Sequence, residues 1–134
     1  MWVANTHSNN VTKLRGRDGA VLGTFTVGSG PTGICFDGAN MWVTNVNINT
    51  VTKLRASDGT VLGTFAAGAG PNGICFDGAN IWVTDFNSTT VTELLASSGA
   101  TIGTFTVGSA PQEAAFDGAH VWVTNFNGAT VSKL

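Results

Sequence analysis

Tryptophan recurs at positions 2, 42, 82 and 122, a spacing of 40 residues, and the rest of the sequence follows the same period. Residues 1–40 and 41–80 share 28 of 40 positions, and residues 41–80 and 81–120 share 20 of 40, without an insertion. A period in this range means stacked copies of one supersecondary unit, so whatever one repeat folds into, the chain folds into several times over. In each repeat the stretches between turn signals are short and rich in β-branched and aromatic residues: "GICFD", "MWVTN", "TVTKLR" and "TVLGTFAAG" in the second copy. Asp-Gly pairs such as Asp37-Gly38 and Asp58-Gly59 punctuate them, with Gly free to adopt the positive φ of hairpin turns. No segment carries a 3.6-residue apolar stripe, and Gly, Thr and Asn recur too often for a helix interior. The chain reads as all-β.

Four strands per 40 residues match the blade of a β-propeller, a small antiparallel sheet stacked face to face with its neighbours. Burial on both faces accounts for the consecutive apolar residues of "MWV" and "ICF": Met41 and Val43 should meet one neighbour and Trp42 the other. A β-solenoid has shorter coils and rarely four hairpin turns per period. The units "FDGxxxWVT", "TVTKL" and "DGTVLGTF" resemble the blades of bacterial propellers related to the streptogramin (virginiamycin B) lyases, the YVTN surface-protein repeats and the NHL repeats. The resemblance covers the whole chain; it implies the propeller fold, and no single activity, because such blades serve many roles.

With strands labelled A to D from the central channel outward, the chain starts at B and reads B-C-D, A-B-C-D, A-B-C-D, A-B-C. The boundaries expected are a partial blade over 1–27, full blades over 28–67 and 68–107, and a partial blade over 108–134. Propellers close with four to eight blades, so the terminal sheets should leave apolar faces uncovered. This predicts a ring completed by a second copy of the chain, most simply a homodimer, with Trp2, Val3, Phe116, Trp122 and Val123 as candidate assembly residues.

Charge excludes some partners. Lys plus Arg number 6 against 8 for Asp plus Glu, giving a net charge of −2 and no field to attract nucleic acid. No apolar run is long enough for a membrane helix and no signal peptide is visible, as expected of a cytoplasmic protein or the mature form of an exported one. Cys35 and Cys75 occupy matching repeat positions, about one sheet-packing distance of 10 Å apart, too far for a disulfide. Both read as buried hydrophobes.

The repeats differ most in the B-to-C loops, "ANTHSNN", "TNVNINT", "TDFNSTT" and "TNFNGAT". A ring of Asn45, Asn47, Asp85, Asn87, Asn125 and Asn127 at the channel mouth would suit a small polar or carbohydrate ligand; the same residues also favour turns for backbone reasons alone. The lyase resemblance implies His and Glu on channel-mouth loops with a divalent metal. His7 and Glu113 are the one pair that could share that face, His120 falls on the opposite face and Glu93 lies in strand C, so no lyase site is matched. The expectation is a non-enzymatic scaffold without cofactor or metal that binds copies of itself. The alternatives are a fragment of a metal-dependent lyase-like enzyme, or a designed or recently amplified repeat protein. Lys13, Lys53 and Lys133, with Arg15 and Arg55, share one blade face and read as stems covering apolar surface.

Overall fold

A computed structural model describes all 134 residues. It contains fourteen strands and one 3-10 turn, Thr6–Ser8, arranged in four antiparallel sheets. The first sheet comprises β1 (Trp2–Asn5), β2 (Asn10–Leu14) and β3 (Val21–Thr26). The second comprises β4 (Pro31–Phe36), β5 (Asn40–Asn45), β6 (Thr50–Arg55) and β7 (Val61–Ala66), and the third β8 (Pro71–Phe76), β9 (Asn80–Asp85), β10 (Thr90–Leu95) and β11 (Thr101–Thr106). The fourth comprises β12 (Pro111–Phe116), β13 (Val121–Asn125) and β14 (Thr130–Lys133). Within each sheet spatial order equals chain order, the meander of a propeller blade.

The "FDGxxxW" motif has a direct physical cause. Asp37 Oδ1 accepts hydrogen bonds from the backbone N–H groups of Ala39 and Asn40, while its Oδ2 accepts one from Trp42 Nε1 at 2.8 Å. Gly38 completes the turn at φ 100°, a conformation costly for any residue with a Cβ. Asp77 with Trp82 and Asp117 with Trp122 repeat the arrangement at 2.7 Å. Each carboxylate therefore closes the A-to-B hairpin and satisfies the indole N–H, letting the ring bury its apolar body. Burial alone would raise the carboxyls of Asp37 and Asp77, but the Trp and backbone donors outweigh it and hold both below the ordinary value.

Side-chain parity then assembles the stack. Met41 and Val43 pack with Val11 and Trp2 of the first sheet, whereas Trp42 packs with Ile74, Ile81 and Val83 of the third. Each sheet thus has a trailing face toward its predecessor and a leading face toward its successor. On the leading faces Trp2, Trp42 and Trp82 stack on Phe25, Phe65 and Phe105 of the same sheets, with ring centroids 5.2 to 5.6 Å apart. The cysteines are free, and burial pushes both thiols up to about 12.

Three of the expected assembly residues do not lie on open faces. Trp2 is packed against the second sheet, Val123 is fully buried between the third and fourth, and Phe116 shares its sheet face with Val121, which also looks toward the third. Val3 and Trp122 are on the open faces: their equivalents Val43 and Trp42 are 0% exposed, but Val3 is 38% and Trp122 39% exposed.

Candidate functional site at the loop face

The B-to-C and D-to-A loops form one crown along the stack. Val46 N–H donates to Gly30 O at 2.9 Å and Phe86 N–H to Gly70 O at 3.0 Å, binding each B-to-C loop to the preceding D-to-A loop. Asn9 and Asn49, both at φ 55°, accept the Gly30 and Gly70 N–H groups through Oδ1. Asn tolerates this left-handed backbone better than most residues, so much of the loop Asn content serves the turns.

The six-residue polar ring expected at the mouth divides into two sets. Asn45, Asp85 and Asn125 are buried and point into the stack. Asn45 Nδ2 donates to the hydroxyls of Thr50 and Thr52, and Asn125 Nδ2 to those of Thr130 and Ser132. Asp85 reverses the polarity, accepting from Thr90, Thr92 and Gly68 N–H at 2.9 to 3.0 Å. These three hold the B and C strands together at the loop end and have no surface to offer a ligand. The physical reason is strand length: β5 and β9 run on through Asn45 and Asp85, so alternation places these residues on the same face as Val43 and Val83. Burial raises the Asp85 carboxyl above its ordinary value, more than its three hydrogen bonds lower it.

Asn47, Asn87 and Asn127 are exposed on the crown. Asn47 is engaged by Ser29 Oγ at 3.2 Å. Asn87 and Asn127 instead line a cleft of about 410 Å³ between the third and fourth sheets, together with Phe86, Ser88, Thr89, Ser109 and Ala110. Phe86 and Phe126 stand beside it with ring centroids 6.3 Å apart, and Phe126 is exposed. Amides, hydroxyls and the Phe86 ring around one cleft are the groups that hold a polar ligand with an apolar face. The serines and phenylalanines were not singled out from sequence; the signal was the Val-to-Phe change between Val46 and Phe86, repeated at Phe126.

His7 sits in the 3-10 turn of the first loop and Glu113 in β12, both exposed. No group of three or more His, Cys, Asp or Glu side chains converges anywhere in the molecule. The basic residues have structural partners. Lys13 Nζ donates to the carbonyls of Ala56 and Ser57 at 2.8 Å and lies 5.5 Å from the Trp2 ring, while Lys53 Nζ donates to Ala96 O at 2.7 Å and lies 4.8 Å from Trp42. Arg15 and Arg55 pair with Asp18 and Asp58 at the C-to-D turns.

Stacked four-stranded meanders with inner strands side by side define the β-propeller class, and solved structures bear this out. A catalytically inactive virginiamycin B lyase from Staphylococcus aureus, solved with quinupristin, superposes with a TM-score of 0.81 at 19% identity, covering 99% of this chain and 47% of that one. The computationally designed Ika4 protein gives 0.81 at 14% identity over 96% of this chain and 80% of its own. Hydrazine synthase from Kuenenia stuttgartiensis gives 0.78 at 17% identity over 98% and 44%. The chain spans about half the length of the lyase and synthase chains it matches. No protein-family model matches the sequence, and no curated protein does. At these identities the likeness defines the fold.

Proposed function

We propose that this chain is a non-enzymatic propeller scaffold that assembles with copies of itself and presents its loop crown to small polar ligands. The observation that carries the reading is the contrast between equivalent residues: Trp42 and Val51 are 0% exposed, whereas Trp122 is 39% and Val131 59% exposed. Burying such a patch against a second sheet is favourable by roughly 25 cal/mol per Å² of apolar area. Native mass spectrometry at micromolar concentration is expected to give multiples of the chain mass. A monodisperse single-chain species overturns the assembly half of the proposal.

The ligand half rests on the cleft between the third and fourth sheets, whose volume lies within the range of small-molecule sites. Neutral carbohydrates suit it, since amide and hydroxyl groups meet sugar hydroxyls while a Phe ring covers a C–H face. Titrating mono- and disaccharides while following amide resonances should shift Asn87, Ser109 and Asn127. No shift at millimolar sugar removes this part. His7 lies in the first sheet's loop and Glu113 in the fourth sheet, which are not neighbours in the stack.

A further inference from the structure

The joints between sheets repeat one set of contacts. At the first joint Lys13 caps the carbonyls of Ala56 and Ser57, and at the second Lys53 caps Ala96 O. Phe25 and Phe65 close the same joints by lying against Gly59 and Gly99, where an added Cβ would come within 2.2 and 2.1 Å of the rings. At the third joint Glu93 replaces the lysine and accepts instead from Asn80 Nδ2 at 2.8 Å. The fourth sheet again carries the lysine: Lys133 Nζ stands 5.5 Å from the Trp122 ring, as Lys13 stands from Trp2, but it donates to no carbonyl within the chain. The trailing face of the first sheet is the counterpart, with Met1 and Val3 exposed and open space over Gly19.

We propose that the leading face of the fourth sheet docks on the trailing face of the first sheet of a second copy, in the register of the internal joints, with Lys133 capping the carbonyls of Gly16 and Arg17. The inference rests on the self-assembly reading and specifies its faces and polarity. Glu113 argues for this occupant. In the second and third sheets the inner strands approach because Gly33 and Gly73 have no side chain; a Cβ there would lie 2.1 Å from Asn72 O and 2.4 Å from Gln112 O of the next inner strand. In β12 the same repeat position is Glu113, so a Cβ and its carboxylate stand where the internal joints have only a glycine, and an inner strand at that spacing would meet them. A complete four-stranded sheet therefore cannot follow the fourth sheet at the internal spacing. A sheet that begins at strand B can, and the first sheet, β1-β2-β3, is one. Charge sets the polarity: two fourth sheets face to face would oppose Lys133 to Lys133, whereas head-to-tail docking gives each lysine carbonyl acceptors.

Two variants separate the alternatives. Val3→Asp charges the trailing face and Val131→Asp the leading face, both at exposed positions, and circular dichroism checks that each keeps its fold. Each variant alone should run as a single chain at concentrations where the wild type associates. An equimolar mixture should regain a pair, because one variant keeps an intact leading face and the other an intact trailing face. Adding Lys133→Ala to the Val3→Asp copy should then weaken that pair about tenfold, with Lys133→Arg weakening it less. A wild type that is a single chain defeats the assembly reading itself. A wild type that associates defeats this inference alone if either single variant still self-associates, if the mixture does not pair, or if Lys133→Ala leaves the dissociation constant unchanged.

Discussion

Asp85 stands where Asn45 and Asn125 stand in the neighbouring sheets, and the change of one atom reverses the direction of two hydrogen bonds. The amide donates to threonine or serine hydroxyls; the carboxylate accepts from them and in addition from Gly68 N–H. Burial still raises the Asp85 carboxyl, so the folded protein holds its proton at a pH where the unfolded chain has released it. Stability from this group therefore falls as pH rises from the ordinary value of 3.8 through the raised one, and stays lower above it. Asp37 and Asp77 work in the opposite sense: their carboxyls are held low, and what they contribute is lost as pH falls below their ordinary value. Asp85→Asn is expected to stabilise the fold by about 1 kcal/mol at neutral pH and to flatten the slope above about pH 4. Urea unfolding across that range checks it, and an unchanged slope would show that the carboxylate is fully compensated by its donors.

Strands come together here through two devices that differ in how far apart their parts lie in sequence. The Asp-to-Trp bond joins residues five apart, so "FDGxxxW" is visible as a motif, and the alternation of Met41, Trp42 and Val43 between neighbours follows from parity. The lysine cap joins residues 43 apart, Lys13 to Ala56, and only the register between sheets reveals it. The buried role of Asn45, Asp85 and Asn125 was legible in principle, since extending the strand by one residue puts them on the inward face. Variation between the repeats, which is greatest in the B-to-C stretch, instead points to them as loop residues. The sequence shows Phe86 and Phe126 only as a change from Val46; that they meet beside a cleft is not visible there, because the cleft is built from loops of two sheets. Close approach of inner strands gives a direct test. Gly33→Ala would set a Cβ against the Asn72 carbonyl, a backbone atom that cannot swing aside, and should cost about 2–3 kcal/mol. Gly38→Ala, with open space around it but φ 100°, should cost about 1 kcal/mol. Equal losses in chemical denaturation would mean that the strands part more easily than their spacing implies.

Across the stack, every sheet contacts only its immediate neighbours, so stability is a sum of sheet terms and joint terms, as in other repeat architectures. The second and third sheets are clamped on both sides and contain the largest buried core; the first and fourth are clamped on one. Their third strands, β3 and β14, are sheet edges, and the terminal sheets should be the first to open. The proposed docking of a second copy would convert those weak ends into further joints, and a joint formed between chains would couple folding to concentration. The midpoint of thermal unfolding should therefore rise with chain concentration for the wild type, while Val3→Asp, which charges one mating face, should give a lower midpoint that does not move. The slope of the wild-type midpoint against concentration reports how many chains separate on unfolding, because each joint lost contributes its own mass-action term. A wild-type midpoint that is flat over a hundredfold range would mean that the terminal sheets keep their faces in water.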